Sequence, residues 1–293
     1  MHLPNPLYKY VPSCRWKNIL QDKRIKFSTA SELNDPFELL PYISDSVYNV
    51  GRVAEVLGLT EKSEARLRNI YDLDTSLSNK FSTFEAFQVF VEENPSVQAH
   101  LTSEIWNRLR KQDPAQFRAH VQRKLREEFG IFSMTETWSN LLMWSHYAES
   151  HKGFVLGFDT SRAEFAYPRS RPFGEGTHLA AVEYRQERPA MYTLDNDQVR
   201  EGLFVKSAEW EYEREWRMVI QKPLAANWAD NVGPVVLIDP LAIADLVLGV
   251  LIDPQMKASI IDVVKQDFRH VVIYQATLDG ITFELNREPI QID

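Results

Sequence analysis

The chain has 293 residues, 44% of them hydrophobic and 25% charged, enough for a large buried core in one or two domains. A net charge of −8 argues against wholesale coating of nucleic acid, and the single cysteine, Cys14, excludes an internal disulfide and a cysteine-built zinc site. No stretch approaches the ~20 apolar residues that cross a bilayer as a helix, and residues 1–6 lack a basic stretch leading into an apolar run, so a cytoplasmic location without membrane contact is expected.

Residues 7–11 read as a short strand. Ser13 suits an N-cap, and residues 14–23 have helical spacing with Trp16, Ile19 and Leu20 on one side. A second short strand is expected at 24–28. Asn34-Asp35-Pro36 is a turn signal, because Asn and Asp bond nearby backbone and Pro fixes its φ. From about 45 to 128 the period is helical, with breaks expected at Gly58, residues 76–78, Asn94-Pro95 and Asp113-Pro114. Phe84, Phe87, Phe90 and Val91 make an apolar stripe that needs a partner surface. The expectation is one α+β domain over residues 1–293 with a helical insertion at 45–129.

The second half is β-rich. A strand is expected at 131–134, then a helix capped by Ser139 or Asn140 and ending near residue 150, with Gly153 just beyond it. Residues 154–158 are apolar on both faces, as in a strand buried inside a sheet, and Gly157 within them implies a close approach by backbone or ligand. Further strands are expected at 179–184, 215–221, 235–238 and 246–251, a helix at 254–268, and a hairpin of 271–277 with 281–285 around Asp279-Gly280. Strands and helices do not alternate regularly, which predicts a mixed or antiparallel sheet.

Several groups of residues carry chemistry. On a strand through 213–220, Trp216, Met218 and Ile220 form a core face, and Glu213, Glu215 and Arg217 share the other. Two carboxylates beside a guanidinium can orient a ribose hydroxyl, act as a general base or stabilise a developing cation. The same set also makes a solvated, salt-bridged face. Asp35 and Glu38 lie in the Asn34 turn, where the simpler reading is a capped turn with Phe37 anchored in the core. His146 is either a site residue or a buried, hydrogen-bonded histidine. His146 and His151 stand five apart, off the four-residue spacing at which helical histidines chelate, so no metal is expected. Gly-x-Ser-x-Gly and P-loop motifs are missing, which disfavours serine hydrolases and P-loop nucleotide enzymes. Arg108, Arg110, Lys111, Arg118, Arg123, Lys124 and Arg126 form a basic run that is either a solvated helix face or a contact for nucleic acid.

Taken together, Leu7-Tyr8-Lys9-Tyr10, Phe27-Ser28, Asn34-Asp35-Pro36-Phe37-Glu38, Met143-Trp144-Ser145-His146-Tyr147, His151-Lys152-Gly153-Phe154, Gly157-Phe158-Asp159, Val182-Glu183-Tyr184 and Lys206…Trp210-Glu211-Tyr212-Glu213-Arg214-Glu215-Trp216-Arg217 resemble a mostly bacterial family known only as domain of unknown function 2971. The order of elements is more distantly similar to the ADP-ribosyltransferase superfamily, in which a glutamate opening a late strand, preceded two residues earlier by Glu or Gln, is the catalytic acid. Glu213-Arg214-Glu215 matches that pattern.

That second resemblance implies an enzyme using NAD as a small-molecule nucleotide substrate, with no metal, and modifying nucleic acid in a defence or toxin setting. It implies Glu215 and Glu213 as catalytic residues, with which His146 is counted as a catalytic candidate. The candidate binding residues are Tyr8, Lys9, Asn34, Asp35, Glu38, Tyr147 and Arg217, with Tyr147 or Tyr8 able to stack on nicotinamide. Most of these are expected to line one cleft. A metal-dependent nuclease or hydrolase built on Asp35, Glu38, Glu213 and His146, and a non-catalytic ligand-binding or regulatory module, stand as alternatives.

Overall fold

The computed structural model describes residues 3–43, 64–73, 75–94, 114–162, 165, 179–191, 196–221, 228–229 and 233–291. It divides into two compact units. One comprises Met1–Leu40, Leu125–Arg188 and Leu203–Asp293; the other comprises Pro41–Lys124 and Pro189–Gly202.

The first unit is built on an eight-stranded sheet. In chain order its strands are β1 (Leu7–Val11), β4 (Phe129–Thr135), β5 (Phe154–Phe158), β6 (Leu179–Ala181), β10 (Glu215–Gln221), β13 (Ile243–Leu248), β14 (Val272–Leu278) and β15 (Leu285–Pro289); the numbering also counts the short strands β2 (Arg24–Lys26), β3 (Tyr42–Ile43), β7 (Glu183–Arg185), β8 (Ala190–Met191), β9 (Val205–Ser207), β11 (Trp228–Ala229) and β12 (Gly233–Leu237), which lie outside this sheet. Their order across the sheet is β15-β14-β13-β5-β1-β4-β10-β6. Every neighbouring pair is antiparallel except β13 with β14, whose parallel pairing needs the crossover helix Pro254–Asp267. The α+β class and the mixed, mostly antiparallel sheet are as the sequence predicts.

The alternation along each strand fixes the two faces. Leu7, Phe132, Met134, Phe154, Leu156, Phe158, Trp216, Met218 and Ile220 lie in one apolar core, against Ile260 and Val264 of the crossover helix. Tyr8, Tyr10 and Val155 lie in the other, beneath Met143, Trp144 and Ala148 of the helix segment after β4. That helix, Leu141–Tyr147, starts where the Asn140 side chain accepts from the Met143 N–H at 3.1 Å. Gly153 lies where any side chain would strike the Val11 carbonyl, since a Cβ there would stand 2.1 Å from its oxygen.

Register places Glu215 opposite Thr135, Thr135 opposite Tyr8, Tyr8 opposite Gly157, and Gly157 opposite Asp245. Paired residues point to the same face, so this row crosses five strands on the side away from the crossover helix. The close approach expected at Gly157 comes from the Asp245 side chain: a Cβ on Gly157 would stand 2.6 Å from Asp245 Oδ1.

Two local expectations differ. The Asp279-Gly280 turn is not a two-residue hairpin loop. Asp279 Oδ1 accepts from the N–H groups of Ile281 and Thr282, both at 2.8 Å, and β15 begins only at Leu285. Residues 14–23 form a 3-10 turn, Ser13–Arg15, and a π turn, Lys17–Gln21, in place of one regular helix.

In the second unit the helices Glu64–Leu73, Thr75–Lys80 and Phe84–Glu93 are followed by the start of Pro114–Glu128. Phe84, Phe87 and Val91 are buried, and Phe87 packs against Tyr71 and Phe81 at centroid distances of 5.5 Å each. The expected break at Asn94-Pro95 matches the end of the helix Phe84–Glu93, whose C-cap is Asn94, and Asp113 of the expected Asp113-Pro114 break lies outside the described residues. The expected break at 76–78 falls inside a helix, because burial of Leu77 outweighs the weak helix preference of its serine neighbours. The break expected at Gly58 lies outside the described residues.

Candidate functional site

Two short elements bring charges to the start of β10. The 3-10 helix Ala208–Glu213 ends at Arg214, which has φ 42° and ψ 52°, and β10 starts at Glu215. Glu213 and Glu215 therefore do not alternate along one strand, contrary to the expectation from their spacing. They meet through a cation instead. Lys206 of β9 (Val205–Ser207) places Nζ 2.7 Å from Glu213 Oε2 and 3.1 Å from Glu215 Oε2, over the Trp210 ring at 4.9 Å.

Arg217, two residues into the strand, closes the other side. Its Nε donates to Glu215 Oε1 at 2.7 Å, Nη2 donates to Glu215 Oε2 at 3.0 Å and to Glu38, and Nη1 donates to the Leu203 carbonyl at 2.8 Å. This is the fork-to-fork geometry that guanidinium and carboxylate make best. The Tyr147 hydroxyl donates to Glu213 Oε1 at 2.6 Å, and the Thr135 hydroxyl donates to the Glu213 carbonyl at 2.6 Å.

Glu38, Lys206, Glu213, Glu215 and Arg217 are all buried, which rules out the solvated-face reading. Asp35 is buried too; its Oδ1 accepts from the Phe37 N–H at 2.8 Å, and its charge supports that of Arg217. Phe37 itself is 60% exposed, lying by the Arg188 guanidinium, so it does not anchor the turn in the core. The turn is anchored by Glu38 instead.

Four acids against two bases leave the cluster net negative when all are ionised. Burial raises the Glu215 pKa, and Lys206 only partly offsets this. Burial opposes the Lys206 charge, but the carboxylates of Glu215 and Glu213 outweigh it and raise its pKa. Burial pushes the Arg217 guanidinium down to about 9, still cationic at neutral pH.

Of the other candidates, Tyr8 lies in the same cross-sheet row as Glu215 but beside Asp245 and Arg287; burial and the Asp245 charge raise its pKa. Lys9 points to the opposite face, where Nζ donates to the Ser133 carbonyl at 2.8 Å over the Phe132 ring. Asn34 is exposed at the head of its turn. His146 is exposed, not buried, with its ring edge-on to Tyr147 at 6.2 Å and Trp210 at 6.4 Å. His151 stacks on Trp144. Among the described residues, no group of three or more His, Cys, Asp or Glu is placed to hold a metal ion.

A cleft of about 510 Å³ opens beside the cluster. Its wall includes Glu136, Tyr184, Tyr212, Arg214, Glu215 and Trp216. Of the ten candidates only Glu215 reaches this wall; Glu38, Glu213 and Arg217 stand behind it and Tyr147 braces Glu213. The Tyr184 hydroxyl accepts the Glu215 N–H at 2.7 Å, and Glu136 accepts from the Trp216 indole at 2.9 Å.

Sequence reasoning did not name Lys206, Tyr184 or Glu136 as site residues. For Lys206 a signal existed: it is a lone cation directly after Leu203-Phe204-Val205. For Glu136 and Tyr184 none did, because their place depends on strand pairing.

Of the basic run, Arg108, Arg110 and Lys111 lie outside the described residues. Arg118, Arg123, Lys124 and Arg126 lie on the helix Pro114–Glu128. The Arg126 guanidinium is committed to the carbonyls of Glu38, Ala30 and Pro36, at 2.9, 3.3 and 3.4 Å. Among the described residues no helix is long and apolar enough to cross a membrane.

Residues 143–218 match the model of a family described as "Protein of unknown function (DUF2971)". The match bears out the resemblance to that family over the stretch that carries Tyr147, Lys206, Glu213, Glu215 and Arg217. No curated protein and no solved structure matches the chain.

Proposed function

We propose that the chain is an NAD-using enzyme of the ADP-ribosyltransferase type, with the reaction in the cleft beside Glu215. The observation that carries this reading is the placement of Glu215. It opens β10, two residues after Glu213, in the wall of a cleft of about 510 Å³ that also presents aromatic rings and a guanidinium. That volume falls within the roughly 300–1,000 Å³ of small-molecule sites. Tyr184, Tyr212 and Trp216 suit planar rings, and the carboxylates of Glu136 and Glu215 suit ribose hydroxyls.

Cleaving the nicotinamide–ribose bond develops positive charge on the sugar, and a fixed carboxylate stabilises it. Glu213 would act through Lys206, by setting how much of the Glu215 charge remains for the sugar. Nucleic acid as the acceptor, in a defence or toxin role, remains part of this proposal.

The test is release of nicotinamide from NAD, with and without single-stranded or duplex nucleic acid. Glu215→Gln should reduce turnover roughly a hundred- to thousand-fold, as loss of one such electrostatic contact does. One observation favours a second reading, a non-catalytic binding module: both Glu215 oxygens already accept from cations. NAD binding without any nicotinamide release would decide for it.

A further inference from the structure

We propose that Arg214 is the anion clamp of the cleft, taking the diphosphate of a nucleotide ligand; this deepens the NAD-using reading of the same site and rests on it. Glu213 and Glu215 are both buried and spend their charge on Lys206 and Arg217. Arg214 between them is exposed and lines the cleft. Among the described residues of that wall it is the one cation, while Glu136, Glu211 and Glu215 are acids. Glu136 and Glu211 repel an anion entering the cleft, and Arg214 attracts it. The charges therefore orient a ligand with its anionic group at Arg214 and its hydroxyls toward the carboxylates.

The backbone points the same way. Arg214 adopts φ 42° and ψ 52°, the left-handed region that residues with a Cβ avoid. Glycine or asparagine would make this turn more easily. Lys23, Leu39, Glu149, Ser150 and His151 share a positive φ, but of these residues Arg214 is the one in the cleft wall, and strained residues of this kind cluster at active sites and ligand clamps. A guanidinium suits a diphosphate because its planar donors meet two oxygens at once. The Tyr184 hydroxyl, which accepts from the Glu215 N–H, keeps its own proton to donate to the same ligand.

The test is calorimetric titration of the full chain with inorganic pyrophosphate, ADP and adenosine. Arg214→Gly should weaken pyrophosphate and ADP at least tenfold and leave adenosine unchanged, with Arg214→Lys in between. Arg214→Gly should also melt no lower than wild type, because glycine enters the left-handed region freely. Arg214→Asn, which also tolerates that region, serves as a second charge-removing variant. The clamp is overturned if wild type binds neither pyrophosphate nor ADP, or if both neutral variants bind them as tightly as wild type. Arg214-dependent ADP binding without nicotinamide release from NAD would sink the NAD-cleaving reading and keep the clamp. Nicotinamide release with an unchanged KM for NAD in Arg214→Gly would do the reverse.

Discussion

The Arg217 guanidinium donates to the Glu38 carboxylate across 179 positions of chain, at a point where Arg217 is wholly shielded from solvent. The same guanidinium grips Glu215 through two nitrogens. A turn near the N-terminus is thereby fastened to the strand that opens the cleft, and the fastening is electrostatic.

Breaking that layer should be costly. Removing one partner of a buried ion pair strands the other charge, typically at about 3–5 kcal/mol. Arg217→Met should lower stability in urea by about that amount. Glu38→Gln should cost less, because Glu215 still compensates Arg217. In the double variant the losses should fall short of the sum, since both act on one network. A cost for Arg217→Met below about 1 kcal/mol, the range of exposed pairs, would show that the cluster is solvated.

Lys9 supplies a pH signature. Burial lowers its pKa from 10.5 to about 8, against the opposing pull of Glu215. The folded value lies below the unfolded one, so between them the unfolded chain binds more protons and stability rises with pH. The rise should begin near pH 8 and end near 10.5. Lys9→Met should flatten it. The difference between wild type and variant, measured by denaturant unfolding at several pH values, isolates Lys9 from the tyrosines that titrate higher. Parallel curves would mean that Lys9 is not desolvated.

Gly157 and Asp245 should be coupled. A methyl group at 157 would meet the Asp245 carboxylate at 2.6 Å, and overpacking of this kind typically costs about 1–3 kcal/mol. Gly157→Ala should therefore destabilise the fold, and Asp245→Ala should relieve much of that loss. A thermal-melt double-mutant cycle reads this directly; additive losses would mean the two do not meet.

Arg126 should behave as a structural residue. Its guanidinium holds three carbonyls of residues 30–38, and hydrogen bonds from a charged donor contribute about 1.5–3 kcal/mol each. Arg126→Ala should lower the melting temperature and loosen the Glu38 turn. Fluorescence anisotropy with a labelled single-stranded oligonucleotide should change more for Arg118→Glu/Arg123→Glu than for Arg126→Ala. The reverse order would return Arg126 to the phosphate-binding set.

The sequence alone determined what short-range rules govern. Apolar patterning set β1, β5 and β10 within a residue or two and placed Trp216, Met218 and Ile220 in the core. Ser139-Asn140 announced a helix start, of which Asn140 is the cap, and Asn34-Asp35-Pro36 announced a turn. A polar residue inside an apolar run costs free energy unless it is paired, so Glu38, Glu213, Glu215 and Arg217 could be singled out by type and position.

Partnership was decided only by the tertiary structure. Glu213 and Glu215 look like neighbours on one strand face, yet Arg214 turns the chain between them and Lys206 joins them from another strand. Tyr8 and Lys9 adjoin in sequence, yet β1 sends them to opposite faces, one toward Asp245 and the other toward Ser133. His146 reads in the sequence as either a site residue or a buried, hydrogen-bonded histidine, and it stands exposed. A strand or a turn is set by the residues within it. Which charge compensates which depends on strand order and register, and these follow from burying all the apolar faces at once.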